Sequence, residues 1–455
     1  MARLLLFLAL LCMAGEARAE WHRVETPDFV IRADLPEPEL RELGRQIEML
    51  DALLRAMTGV TTPADRRKTE ILIIPDLETG VRITGLPDFP GGVTWPGSMG
   101  AMIIASYRFP EDYYGYNVRE VLFHEYTHGF MAHFMGTNQP GWFIEGFACL
   151  FQTAKLTDDG KVEFGTFPVM LEGELDPKHP VSFRSIMSIS GVSTDTASPL
   201  SIYTQGWVLA HHYYFGGPRA GEIGAYLSAV RKRQPVNPET LFKGGVAAFD
   251  ADMATWFAAL PPPKQLTLPK LDSSRVAVRP MRPGEVALIE RQMIDMALVQ
   301  PGDDPKLAEQ KFNDSYQAAR ALYVQYPEPE LGFYVAQFAY AAFDLAGADT
   351  LLDRLLATDS KNPDLLAFRG LVLVDIARET PEKFDALILR SRALIQRAMT
   401  LDPANPVAAV AMFRNLSADQ GATPAARTAL MRAVELNPDD MTLLQTALEF
   451  ALRNN

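Results

Sequence analysis

Apolar residues come in short runs along the first hundred positions and at helical spacing beyond Asn117. Trp21 to Asp34 holds alternating runs that predict strands, and Thr69 to Ile74 is a compact β-type run closed by Pro75. Between them, Pro38 to Met57 sets Leu40, Leu43, Ile47, Leu50 and Leu54 on one face of a helix. The Gly- and Pro-rich stretch Gly80 to Gly97 reads as loop, and Gly100 to Ser106 as a further strand. From Asn117 onward the pattern is mostly helical, interrupted by a hairpin expected around Asp158-Asp159-Gly160. Strands first and helices later predict an α+β domain over residues 20–260.

Pro261-Pro262-Pro263 opens a Pro-rich stretch, 261–282, expected as a linker or strap. Residues 283–455 then shift to Ala and Leu with Asp-Pro and Asn-Pro punctuation. Leu401-Asp402-Pro403 and Leu436-Asn437-Pro438 recur 35 residues apart, Pro329 and Pro363 are 34 apart, and Pro363 to Pro406 spans 43. Aligned on that period, positions 321, 355, 398 and 433 are Ala, Leu, Ala and Ala. The pattern resembles tetratricopeptide repeats, so an all-α helical-repeat domain is expected, with a lengthened helix pair near Thr380 to Arg392. Stacked helix pairs of that kind bind peptides or partner proteins on their concave face. An irregular α-bundle is the plainer alternative.

Charge narrows the function classes. The net charge of −13 repels phosphate backbones, and Arg231-Lys232-Arg233 reads as a solvated helix end, so nucleic acid is not an expected partner. Residues 1–19 read as a signal peptide: Arg3, the apolar run Leu4 to Met13, then Ala17-Arg18-Ala19 as cleavage site. That run is too short to span a bilayer, and no later segment is long and apolar enough. A soluble exported chain, periplasmic or secreted, is therefore expected. It would keep one cysteine, Cys149, in an apolar helical stretch that predicts burial rather than reactivity.

His124-Glu125-Tyr126-Thr127-His128 is an HExxH pattern. On a helix, His124 and His128 share a face and can meet one metal ion, while Glu125 beside them can accept a proton from water on that metal. The flanking Val121, Leu122, Phe123, Phe130 and Met131 predict a buried helix, in which two unliganded histidines and a glutamate would be costly. Pro140-Gly141-Trp142-Phe143-Ile144-Glu145 starts a second apolar helix, and Glu145, seventeen residues after His128, is the candidate third ligand. Two histidines and one carboxylate leave a fourth position open, as in catalytic zinc sites. A third histidine six residues after His128 is ruled out because Phe134 stands there; His133 points away from His124 and is excluded as a ligand.

The run HEYTH followed by PGWFIEGFA resembles the peptidase MA-like family of gluzincins, whose exported bacterial members include chains with tetratricopeptide repeats behind the protease domain. The resemblance covers about Trp21 to Leu260. It implies a zincin-like fold, Zn2+ on His124, His128 and Glu145, and Glu125 as general base. Tyr203-Thr204-Gln205 resembles the family's tyrosine region, which makes Tyr203 a candidate hydrogen-bond donor to the oxyanion. A packed aromatic at a helix start is the other reading of Tyr203, and His211 and His212 compete for its role. Gly100-Ala101-Met102 resembles the start of a G-A-M-E-N edge strand of related aminopeptidases. Ile103 replaces the amine-binding Glu there, which argues against aminopeptidase activity and leaves a peptide-pairing edge strand.

These readings converge on a zinc peptidase acting on exported proteins or peptides, with a protein partner expected on the repeats. One alternative is a zinc-stabilised scaffold with little turnover whose repeats do the work. A second is a hydrolase of non-peptide amides such as cell-wall components.

Overall fold

The computed structural model describes residues 20–61, 67–95, 102–110, 117–136, 138–157, 159–172, 183–186, 201–270, 272–296, 298, 304–421, 423–436 and 441–453. The expected leader 1–19, Gly100-Ala101, Asp158 and Asn437-Pro438 lie outside them.

The chain is mixed α/β and mostly helical. Five strands come early: β1 (His22–Glu25), β2 (Phe29–Ala33), β3 (Thr69–Asp76), β4 (Gly92–Trp95) and β5 (Met102–Arg108). They lie in a six-stranded sheet ordered β4-β5-β3-β2-β1-β9, where β9 (Ala277–Pro280) arrives from far along the chain. β2, β3 and β5 run parallel at the centre, with β4 antiparallel to β5 at one edge and, at the other, β1 antiparallel to both β2 and β9. In β3, Ile71 and Ile73 face one side and Leu72 and Ile74 the other, all buried, which is why this strand reads as an unbroken apolar run.

One sheet face is covered by α1 (Glu37–Thr58) and α3 (Val118–Phe134). The predicted face of α1, Leu40 to Leu54, is buried, and Gly59 ends the helix at φ 72° with its N–H on the Arg55 carbonyl. The stretch read as loop, Gly80 to Gly97, is partly ordered into elements. α2 (Leu77–Thr84) runs into it, and β4 lies within it. Asp76 caps α2 by accepting from the Thr79 N–H at 2.9 Å, and Gly85 closes it at φ 70°. These two cap residues outweigh the Gly and Pro content.

The 261–282 stretch is a strap built into both sheets. β8 (Lys264–Thr267) joins β6 (Lys155–Leu156) and β7 (Lys161–Phe164) in a small antiparallel sheet, and β9 pairs with β1 from His22↔Pro280 to Glu25↔Ala277. β6 and β7 form the expected hairpin, with Gly160 at φ 84° in its turn. The next helix, α8 (Pro283–Met296), lays Ile289 and Met293 on the second sheet face against Leu72, Ile74 and Ile104. The boundary expected at residue 283 coincides with the start of this helix, one face of which packs on the sheet.

Between these segments come α4 (Gly141–Gln152), α5 (Ser201–Tyr214), α6 (Ala220–Arg231) and α7 (Gly245–Ala258). After α8 the chain is helical: α9 (Pro305–Gln325), α10 (Pro329–Ala341), α11 (Leu345–Thr358), α12 (Pro363–Glu379), α13 (Phe384–Leu401), α14 (Pro406–Gln420), α15 (Pro424–Leu436) and α16 (Met441–Arg453). Asp304-Pro305, Asn362-Pro363 and Asn405-Pro406 are helix starts, while Asp402-Pro403 follows the end of α13. Asp304, Asn362 and Asn405 accept from first-turn N–H groups, and Pro occupies the next position, where its missing N–H costs nothing. The 43-residue interval holds a lengthened pair, α12 and α13, of 17 and 18 residues against 13 and 14 in α10 and α11. Of the aligned positions, Leu355, Ala398 and Ala433 are buried, while Ala321 is exposed. No described helix is long and apolar enough to cross a membrane.

Candidate metal centre

α3 begins where Asn117 accepts from the Glu120 N–H at 3.1 Å, and its Val121, Leu122, Phe123, Phe130 and Met131 are buried as expected. Tyr126 ties it to α1: its hydroxyl donates to Asp51, which also holds Arg55 at 2.6 Å, and the Arg55 guanidinium lies over the Phe134 ring. α4 crosses next to it. On its otherwise apolar surface Glu145, Cys149 and Gln152 form one row, at i, i+4 and i+7.

The two helices bring three ligand atoms together. His124 Nε2 is 3.0 Å from His128 Nε2 and 3.2 Å from Glu145 Oε2, and His128 Nε2 is 3.4 Å from the same oxygen. A tetrahedral zinc ion with ligands at about 2.0–2.1 Å holds neighbouring ligand atoms about 3.3–3.4 Å apart. Three potential electron-pair donors at this spacing, from two imidazole rings and one carboxylate, fit such an ion without rearrangement. Among the described residues this is the sole His/Cys/Asp/Glu group close enough to hold a metal. Burial alone raises the Glu145 carboxyl, but its contacts with the His124 and His128 rings outweigh that and hold the group well below the usual carboxylate range.

Glu125 sits beside this triangle, under β4. A Cβ on Gly92 would lie 2.4 Å from Val121 Cγ1 and 2.8 Å from Glu125 Cγ, so only glycine lets the strand come this close. Burial pushes the Glu125 carboxyl up; the His124 and His128 charges and the Thr94 hydroxyl offset part of that rise. β4, not β5, is the sheet edge at the site: β5, which starts in the stretch expected as the edge strand, pairs on both sides.

Tyr203 on α5 reaches the site as well. Its ring stacks 6.1 Å from that of His124, at 26°. A glycine crossing sets this height. A Cβ on Gly146 would fall 2.1 Å from the Gly206 carbonyl, and one on Gly206 2.2 Å from the Trp142 carbonyl, so α4 and α5 touch backbone to backbone. Glu145 precedes one of these glycines, and Tyr203 lies three residues before the other.

His211 and His212 do not share this place. His211 accepts from Trp256 Nε1 at 3.1 Å between the rings of Trp207 and Phe215, and His212 Nε2 accepts from the Arg219 N–H at 3.0 Å. Burial lowers them to about 3 and about 4, so both are neutral core groups. His133 is exposed and stacks edge-on with Phe134. Cys149 is fully buried, with its thiol pushed up by that burial.

Sequence reasoning missed Thr94 and Gln152. Nothing local marks Thr94, which arrives through the sheet. Gln152 carries a readable signal, a polar residue seven positions after Glu145 on an apolar helix. Its Oε1 lies 2.9 Å from His124 Nδ1. No protein-family model, curated protein or solved structure matches this chain.

Proposed function

We propose that the protein is a zinc-dependent peptidase of the gluzincin type. The observation that carries this is the 3.0–3.4 Å triangle of His124, His128 and Glu145 with a half-buried glutamate, Glu125, against it. A zinc ion held by those three residues would supply Lewis acidity to a scissile carbonyl and to the attacking water. Glu125 takes the proton of that water and returns it to the leaving amine, and its raised pKa suits both tasks near neutral pH. Tyr203 donates a hydrogen bond to the carbonyl oxygen as charge develops there. An extended peptide adds to the free edge of β4, which runs past Glu125 at Gly92 and Thr94; this favours peptides over other amides.

On the same reading, the sheet and its metal helices form a zincin-like domain of the peptidase MA-like family, and the C-terminal hairpins are tetratricopeptide-like repeats that engage a protein partner. The leader makes the chain an exported, periplasmic or secreted one. The test is zinc content together with hydrolysis of an unstructured protein, for the wild type and Glu125→Gln. One zinc in both, with turnover at least about a hundredfold lower in the variant, is expected. Zinc in both without hydrolysis by either would favour the scaffold, and wild type without zinc would sink the site.

A further inference from the structure

His124 has two ring nitrogens, and in the neutral ring one of them carries the proton. Nε2 can serve a metal only if that proton is on Nδ1. Which tautomer forms is decided on the far side of the ring. There, Nδ1 stands 2.9 Å from Gln152 Oε1, and the other end of the same amide, Nε2, stands 3.4 Å from Met170 Sδ. Gln152 is only 2 % exposed, so bulk water does not compete for either end.

The sulfur sets the direction of the amide. A thioether has lone pairs but no hydrogen to give, so the end facing it must be the NH2 group. Reversing the amide would set a carbonyl oxygen against the sulfur, two acceptors in contact. Oxygen therefore faces the ring, Nδ1–H donates to it, and the Nε2 lone pair is left facing Glu145 and His128. Cys149 Sγ lies 3.8 Å from the same Nδ1 and could donate to it, favouring the opposite tautomer. A thiol is a weak donor, and the amide oxygen is the nearer and stronger partner. Among the described residues, His128 Nδ1 has no hydrogen-bond partner, so this orienting contact enters the site through His124.

We propose that Gln152, itself oriented by Met170, is a positioning residue that holds His124 in its Nδ1–H tautomer and so presents Nε2 to a metal ion; this rests on the metal reading above. Orienting partners of metal-bound histidines are typically worth about 10–100-fold in metal affinity. An amide does this without adding negative charge, whereas a carboxylate at the same place would also attract the cation.

The experiment uses the full chain, 15N-labelled at histidine and stripped of metal, at an alkaline pH at which the nitrogen shifts show the His124 ring to be neutral. Long-range proton–nitrogen correlations report the tautomer of His124, assigned by its loss in His124→Gln, and competition with a chromogenic chelator reports zinc affinity. Expected are Nδ1–H in the wild type, and a tautomer mixture with affinity lowered about 10–100-fold in Gln152→Leu. Gln152→Glu, which keeps an acceptor on Nδ1, should match or exceed the wild-type affinity. An Nε2–H wild type, or a Gln152→Glu loss as large as that of Gln152→Leu, overturns the inference while zinc uptake stands. No zinc uptake by the wild type overturns both this inference and the metal reading.

Discussion

Helices α4 and α12 are comparably buried, and both carry polar side chains in their apolar surroundings, yet those side chains are used in opposite ways. On α12, Arg369 is 6 % exposed and meets Asp349 at 2.7 Å and Asp353, both from α11. Near its C-terminus, Asp375 accepts from Tyr340 of α10 and Arg414 of α14. Each charge meets its opposite, and the network is complete as it stands. On α4, Glu145 meets two imidazole nitrogens that also meet each other, an arrangement in which electron-pair donors converge. Buried polarity that is self-complementary holds an architecture together. Buried polarity that brings like to like calls for a cation.

Removing one member from each cluster tests that contrast most strongly. Glu145→Ala should cost more zinc affinity than the about 10–100-fold expected for a positioning partner, and abolish hydrolysis, while the melting point of the metal-free chain barely moves. Arg369→Ala should do the reverse: zinc uptake unchanged, with about 2–3 kcal/mol lost in denaturant unfolding because Asp349 and Asp353 lose their partner. If Glu145→Ala retains zinc, the distinction drawn between the two helices fails.

The glycine crossing comes next. Gly206→Ala forces a methyl against the Trp142 carbonyl and should cost about 1–3 kcal/mol or more by overpacking. It should also lower turnover more than zinc content, because Tyr203 rides on α5 while the ligands ride on α3 and α4. Equal losses in turnover and zinc would mean that α5 supports the ligands themselves.

Acid separates the regions further. His211 and His212 lie under the metal helices and are held at about 3 and about 4, below their ordinary 6.5. Between 6.5 and those values the unfolded chain takes up protons that the folded chain refuses. Stability is thus full above 6.5 and falls by up to about 1.4 kcal/mol per pH unit for each ring as the pH drops. The loss should centre on the sheet module and spare α10 to α15, as hydrogen exchange at two pH values can read. Hydrolysis has its own acid limb, since Glu125 must be ionised to act. The smallest effect concerns the joint. Arg67, just before β3, pairs with Asp364 and with Asp402 at 3.0 Å, and Arg67→Ala should cost at most about 1 kcal/mol while raising proteolysis between the regions.

The cluster of His124, His128 and Glu145 was legible because its signal is local. His124 and His128 share a helix face by spacing, and Glu145 is the lone acid on an apolar helix within reach. The central strands and α1 were legible from periodicity, and the C-terminal helix starts from their Asn and Asp caps. What escaped depends on partners distant in sequence. β9 is exposed along most of its length and lies in a Pro-rich stretch, so nothing nearby marks it as the partner of β1. α8 has the pattern of a repeat helix because one of its faces does meet helices: Asp295 accepts from Tyr334 of α10. Its other face meets a sheet whose strands lie some two hundred residues earlier. Gly80 to Gly97 shows a different failing, where composition masked the Asp76 and Gly85 caps.

The strap and α8 also set a timetable for synthesis. The strands around β1 and the second face of β3 leave the ribosome early, but β9 and the Met293 side chain that cover them follow roughly 190–255 residues later. At about 5–20 residues per second, that is roughly 10–50 s during which Leu72, Ile74 and Ile104 lack their cover and β1 presents an open edge. Nascent chains of this length are exposed to edge-to-edge pairing in that interval. A fragment meant to carry the metal centre alone should therefore end after Met296 rather than at residue 260, where it would keep that exposure permanently.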